Sequence, residues 1–248
     1  MKKQNRLERL DDFAVVLEHY RPSEQNIRLM EDTPMVLLVG PTAAGRNTAV
    51  GILQKTGNYH FIVSNTTRHP RQNNGVWERD GVEYWFDTEA NMLNGLKNGE
   101  YLEAAIIHEQ QVSGTSMEEL RTARGAGKIA LAEIDIDGAD HVHGYLPGAL
   151  FVFLLPPAFD IWMQRLNSRG QMDHQEFRRR LRSAHREIAF GLGADYFQFV
   201  INNEINEASE AIDELAHGRT PDEEKQRHGR EHAGLLMAQI QDFFEQAA

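Results

Sequence analysis

The chain has no cysteine, which excludes disulfides, thiolate metal sites and cysteine nucleophiles. It also lacks a long apolar run: the longest, 149–155, is far too short to span a bilayer. The N-terminal MKKQNRLERLDDF carries charges where a signal peptide needs its apolar stretch. We therefore expect a cytoplasmic protein with no membrane partner. Positive charge is scarce too. The 26 Lys and Arg against 37 Asp and Glu leave a net charge of -11, which argues against a DNA or RNA binder, because such proteins need a basic surface to displace counterions. A small anion needs only a local cluster of Arg. No internal repeat or low-complexity tract is visible. What is present, 248 residues at 41% hydrophobic and 25% charged, suits one α/β domain with a smaller appendage.

The chain is organised around MVLLVGPTAAGRNT, 35–48. Five apolar residues read as a buried strand, the turn runs through Gly40, Pro41, Thr42, Ala43, Ala44 and Gly45, and a helical pattern starts at Arg46. Strand, tight turn and helix form the context in which G-x-x-x-x-G-K-[ST] cradles phosphate: backbone N–H groups and the helix N-terminus face the anion, and a cation reaches its outer oxygens. Here Arg46 stands where Lys is expected, and Asn47 where a Mg-binding hydroxyl is expected.

Before this turn, apolar residues at helical spacing predict an amphipathic helix over 5–20, ended by Pro22. After it, 60–63 reads as a short strand. The segment 64–86, SNTTRHPRQNNGVWERDGVEYWF, reads as a hairpin-rich excursion. It sets Arg68 and Arg71 around Pro70, with Tyr84 nearby, as a bidentate clamp for a terminal phosphate or else as a solvated loop paired with Glu78 and Glu83. The stretch 99–116 is extended, with Glu103 among apolar neighbours and Thr115 after Gly114. A carboxylate there requires hydrogen bonds, which a guanine edge would supply. Strand 129–134 ends in Glu133, Asp135 and Asp137, acids that can hold Mg2+ through water or receive donors from a base. His141 and His143 read as surface residues rather than metal ligands.

A core strand over 150–155 stops at Pro156-Pro157. The span 158–190 then holds seven Arg (165, 169, 178, 179, 180, 182 and 186), read either as a solvated helix face or as a lid carrying charge over transferring phosphates. A last strand, 197–201, precedes a helix through Ala208, Ile212 and Leu215. The polar stretch 217–232 reads as a linker, and its formal H-x-x-E-H match, His228 to His232, is set aside because Gly229 weakens a helix there. Leu235, Leu236, Ile240, Phe243 and Phe244 mark a second amphipathic helix. The terminal helices are expected to pack on the core or to form a homodimer interface.

The motifs GPTAAGRNT, VSNTTRHPR, GVEYWF, GEYLEAA, SGTS, EIDIDGA, FLLPP, RLNSRG, RLRSAHREI and INNEINEA, in this order, resemble those of the guanylate kinase family over 34–216. The resemblance implies a P-loop kinase fold: a central, mostly parallel sheet flanked by helices, a small mixed-β subdomain over 65–115 that binds GMP, and a helical lid over 165–186. An extension (1–33) and a linker with a terminal helix (217–248) lie outside it. It implies MgATP and GMP as substrates. Ser64, Glu103, Thr115 and Asp135 would read guanine, while Arg68, Arg71, Glu78 and Tyr84 would bind the GMP phosphate. Gly40, Ala43, Ala44, Gly45, Arg46, Asn47 and Thr48 would hold the ATP phosphates, with Asn47 and Glu133 near Mg2+. Arg165 and Asn202 would flank adenine, and Arg46, Arg169 and Arg180 would serve the transfer itself. Departures are Arg46 for Lys, Asn47 for a hydroxyl, Ala43 for Gly, and Val112 or Ser113 in place of a phosphate-contacting Tyr. Two functions follow: a GMP kinase with an adapted phosphate turn, or a weak or inactive module that binds a nucleotide or phosphorylated partner.

Overall fold

The computed structural model describes residues 6–73, 75–168 and 173–246. The chain divides into two compact units. One comprises Met1–Pro34, His60–Ala132 and Asp140–Gly148; the other comprises Met35–Tyr59, Glu133–Ala139 and Ala149–Ala248.

The first unit is built on a mixed four-stranded sheet ordered Trp85–Phe86, Asn65–Thr66, Gln111–Ser116 and Tyr101–Ile107. Its first pair is parallel and the other two are antiparallel. The stretch read as extended is thus a hairpin. It reverses at His108 and Glu109, both with positive φ (53° and 57°), which pass the chain round a short turn. A separate two-stranded hairpin, Gln72–Asn73 with Val76–Trp77, occupies the excursion expected between the two Arg and Tyr84.

The N-terminal helix spans Leu10–Glu18 and starts later than its apolar periodicity suggested. Residues 7–9 spend their amides elsewhere: Leu7 N on Glu109 O, and Glu8 N and Arg9 N on the carboxylate of Glu89. Leu7 is nevertheless buried with Phe13, Tyr20, Met92, Leu96 and Val112 in one apolar cluster. A helix not expected from the sequence, Glu24–Glu31, is capped by Ser23 Oγ accepting from Asn26 N.

In the second unit, Met35–Val39 pairs in parallel with Leu150–Leu155, which pairs in parallel with Phe197–Ile201. The first two are almost wholly apolar, as strands covered on both faces must be. Helices Arg46–Lys55, Phe159–Asn167, His174–Gly193, Ile205–Ala216 and Glu223–Gln246 complete it.

The last helix corrects the linker reading: it runs unbroken from Glu223, so the polar connection is confined to 217–222. Gly229, taken as a helix breaker, is a point of close approach. A Cβ there would lie 2.6 Å from Phe199 Cβ, so only Gly lets the helix lie on the edge strand. His232 Nε2 pairs with Pro156 O and Arg230 donates to the carbonyls of Leu192 and Ala194, so this pattern serves packing. The helix's apolar face, with Ala233, Leu236 and Ile240, is buried within the unit. Val15 of the first helix and Leu235 of the last remain exposed. No helix among the described residues is long and apolar enough to cross a membrane.

Candidate functional site

In the second unit, the phosphate turn links the buried strand Met35–Val39 to the helix Arg46–Lys55. Ala44 N bonds Pro41 O, while Thr48 N and Ala49 N both bond Gly45 O. Among the described residues the amides of Ala43, Gly45, Arg46 and Asn47 take no part in such bonds, which leaves a row of donors at a helix N-terminus, the geometry of an anion cradle. Two side chains hold this shape from outside. Asn202 Nδ2 donates to Ala44 O (2.6 Å) and Trp162 Nε1 to Thr42 O (2.9 Å). Gly45 is obligatory: φ is +107°, and a Cβ would meet Asn202 Nδ2 at 2.1 Å.

Ala43 adopts φ +66°, a left-handed conformation that costs a non-Gly residue about 1–2 kcal/mol. The turn thus keeps its shape despite the substitution. Arg46 lies toward the end of the strand Ile129–Glu133, with Nε 3.8 Å from Glu133 Oε2 and Nη1 3.5 Å from Ile134 O. Both contacts are long, so the guanidinium is loosely held. Asn47 and Thr48 are exposed at the start of the helix. A cavity of about 310 Å³ adjoins the turn, lined by Ala43, Gly45, Thr48, Arg165, Ser168, Asn202 and Ile205. Asn202 is buried, and its Oδ1 has no hydrogen-bond donor among the described residues.

The Arg-rich span does not act as one cover. Arg178 and Arg182 lie over the ring of Phe244 and fasten the terminal helix, and Arg186 pairs with Asp137. Arg180 donates to Glu176 at 2.8 Å and Arg179 pairs with the same carboxylate; together they hold Glu176 below its ordinary pKa. Arg169 lies outside the described residues. Asp135 Oδ1 accepts from Gly138 N at 2.7 Å and so caps the helix Ile136–His143. This capping role was not foreseen for a residue expected to read a base.

The remaining candidates lie in the first unit, with Glu103 and Thr115 on strands of its sheet and the others on the segments that flank it. Arg68 donates to Glu78 Oε2 (2.5 Å) and Oε1 (2.9 Å), and its guanidinium sits 4.6 Å from the Tyr84 ring centroid. Glu78 Oε2 also accepts from Arg71 N (2.9 Å). The pair is almost fully buried, at 10% and 8% side-chain exposure, so the cation is pre-set rather than solvated, and Glu78 orients the Arg68 guanidinium while anchoring the Arg71 backbone. Alternation along Gln111–Ser116 puts Gln111, Ser113 and Thr115 on one face. Thr115 Oγ1 donates to Glu103 Oε1 (2.7 Å), Ser113 Oγ to Thr66 Oγ1 (2.9 Å), and Arg71 Nη2 reaches Gln111 Oε1 (3.4 Å). Ser113, not Val112, therefore stands on this face, since Val112 is in the apolar cluster. Ser64 is half-buried, and its carbonyl accepts from Trp85 N.

Four contributors escaped the sequence reading: Gln111, Glu119, Trp85 and Trp162. Glu119 is the least expected. It is nearly buried and accepts from Trp85 Nε1 (3.0 Å) and Val63 N (3.3 Å) and pairs with His60 Nε2 (2.9 Å), joining the segments that carry Ser64 and Tyr84. Only a buried acid in an otherwise amphipathic helix could have signalled it. No group of three or more His, Cys, Asp or Glu that could hold a metal ion is found among the described residues.

A buried parallel sheet, an amide-lined turn at a helix N-terminus and an adjoining nucleoside-sized cavity define a P-loop nucleotide-binding protein. A family model described as guanylate kinase matches residues 32–218. The chain is 40% identical over 181 residues to a guanylate kinase of Nocardia farcinica (72% of this chain, 90% of the relative). It is 38% identical over 193 residues to that of Mycobacterium leprae (77% and 87%). A crystal structure of guanylate kinase from Anaplasma phagocytophilum shares the fold, with TM-score 0.55 and 24% identity over 77% of this chain and 87% of that one. The chain belongs to the guanylate kinase family.

Proposed function

We propose that this protein transfers the γ-phosphoryl group of ATP to the phosphate of GMP, giving ADP and GDP. The observation that carries the reading is Ala43, kept in a left-handed conformation within a turn whose amides stay open. Strain of this kind persists where a function over-determines the backbone, and here it preserves the cradle in spite of the lost Gly.

The acceptor phosphate is taken by Arg68, Arg71 and Tyr84, with Arg68 already oriented by Glu78. The guanine edge donates to Glu103, itself aligned by Thr115, and Ser64 and Asp135 complete the reading of the base. The ATP phosphates lie on the amides of the turn, and adenine enters the adjoining cavity, flanked by Arg165 and Asn202. An oxygen of the GMP phosphate attacks in line, the bond to the leaving ADP breaks, and no covalent intermediate forms. The protein contributes position and positive charge, from Arg46, Arg169 and Arg180. Asn47 and Glu133 offer only oxygen donors, a set that suits Mg2+, which keeps most of its waters and binds largely through substrate phosphates. When bound, Mg2+ neutralises the β- and γ-phosphate oxygens.

The second reading, a weak or inactive nucleotide-binding module, is favoured by one observation: Arg46 is drawn to Glu133 and Ile134 O instead of lying over the cradle. The deciding experiment measures ADP production from MgATP with GMP, AMP, CMP, UMP and no acceptor, for the parent chain and Arg46→Lys. GMP-dependent turnover in the parent establishes the kinase. A silent parent that still binds GMP establishes the module, and activity gained in Arg46→Lys would then locate the defect.

A further inference from the structure

The family match begins at residue 32, so the helix Leu10–Glu18, Tyr20 and Ser23 lie outside it. These residues nevertheless attach along one strand, Tyr101–Ile107, which carries Glu103. At its near end, Ser23 N and Asn26 Nδ2 both donate to Gly99 O (3.2 and 2.8 Å). At its far end, Leu7 N donates to Glu109 O (2.9 Å). Between them the strand has a bulge: Tyr101 is opposite Ser116 but Glu103 is opposite Thr115, so one extra residue, Leu102, is inserted.

A bulge removes backbone groups from the ladder, and buried groups must then find partners elsewhere. Here tyrosine hydroxyls supply them. Tyr20 OH accepts from Tyr101 N (2.8 Å) and donates to Tyr101 O (2.5 Å). Burial pushes its pKa up, so it stays protonated and performs both tasks at once. Its ring stacks on His141, whose other neighbour is Tyr145, and Tyr145 OH donates to Leu102 O. Two tyrosine hydroxyls thus satisfy the inserted turn of chain.

The register has a chemical consequence. Without the extra residue, Thr115 would be opposite Leu102, and Glu103 would move opposite Gly114 and lose the Thr115 hydroxyl, because a one-residue slip turns each side chain to the other face. We propose that the N-terminal extension sets the acceptor-base selectivity of the enzyme: Tyr20 is a positioning residue that holds the bulge placing Glu103 opposite Thr115. This rests on the reading of Glu103 as the base-reading carboxylate.

The test compares kcat and KM for GMP and AMP in the parent, Tyr20→Phe, Glu103→Gln and Leu96→Ala. Tyr20→Phe keeps the ring and deletes only the hydroxyl. It should raise the KM for GMP about tenfold and cut the GMP-over-AMP preference by a similar factor, while the KM for ATP stays within about twofold. Leu96→Ala removes a side chain from the same apolar cluster but no hydrogen bond, and should lower stability without changing the preference. If Glu103→Gln abolishes the preference while Tyr20→Phe retains it, the positioning role is refuted and the base-reading role stands. If Glu103→Gln leaves the preference intact, the base-reading role fails and the proposal falls with it. An equal loss of preference in Leu96→Ala would reduce Tyr20 to a fold-stabilising residue. Should Tyr20→Phe not fold, Asn26→Ala, which removes one of the two donors to Gly99 O at the near end of the strand, decides by the same readout.

Discussion

Replacing Glu119 by Ala isolates the support beneath the acceptor site, because the carboxylate touches none of the proposed GMP-binding side chains. Its three partners are Trp85 Nε1, Val63 N and His60 Nε2, at 3.0, 3.3 and 2.9 Å. A hydrogen bond to a charged group contributes about 1.5–3 kcal/mol, so the upper bound for three is several kcal/mol. That bound is not reached: Trp85 is 39% exposed and the His60 side chain 26%, so both regain water. The backbone N–H of Val63 is the least able to do so. A net loss of about 2–3 kcal/mol follows, which in a chain of this size lowers Tm by about 4–12 °C. Function should change more selectively. Val63 precedes Ser64 and Trp85 follows Tyr84, so loosening both joints raises the KM for GMP about tenfold, with the KM for ATP unchanged. Thermal denaturation and steady-state kinetics with coupled ADP detection measure the two effects. A variant with parental Tm, or one whose ATP and GMP constants move together, would refute the assignment.

Arg68→Ala should raise the KM for GMP by about 10- to 100-fold, whereas Arg180→Ala should mainly lower kcat; if neither changes turnover, the site is elsewhere. Ala43→Gly relieves the left-handed backbone and should stabilise the protein by about 1 kcal/mol with the cradle intact, read as a raised urea midpoint. Gly229→Ala forces a Cβ onto Phe199 and should cost about 1–3 kcal/mol without altering either KM. Arg180 and Arg179 depress the pKa of Glu176 below its ordinary 4.5, so their stabilisation is complete above pH 4.5 and is lost as pH falls through the folded value. Glu176→Gln should therefore flatten the acid limb of the stability profile, and an unchanged limb would exclude the linkage.

What the sequence determined by itself is local. The apolar run 35–39, the turn through Gly45 and the helix from Arg46 are set by residue type at adjacent positions, so the phosphate turn was legible before any fold was known. The same holds for Arg68, Arg71, Glu78 and Tyr84, gathered within a short irregular segment. Tertiary structure decided whatever depends on residues far apart. Glu119 reads as one more acid on a helix until His60, Val63 and Trp85 are brought to it. Gly229 reads as a breaker until Phe199 is placed beneath it, and the same contact turns an apparent linker into the start of a long helix. Arg178 and Arg182 look like part of a cationic lid until Phe244 returns to lie against them. The position of Glu103 was also out of reach. Its strand register depends on a bulge, and that bulge depends on a hydroxyl eighty-one positions away in sequence, whose hydrogen bonds no local pattern encodes.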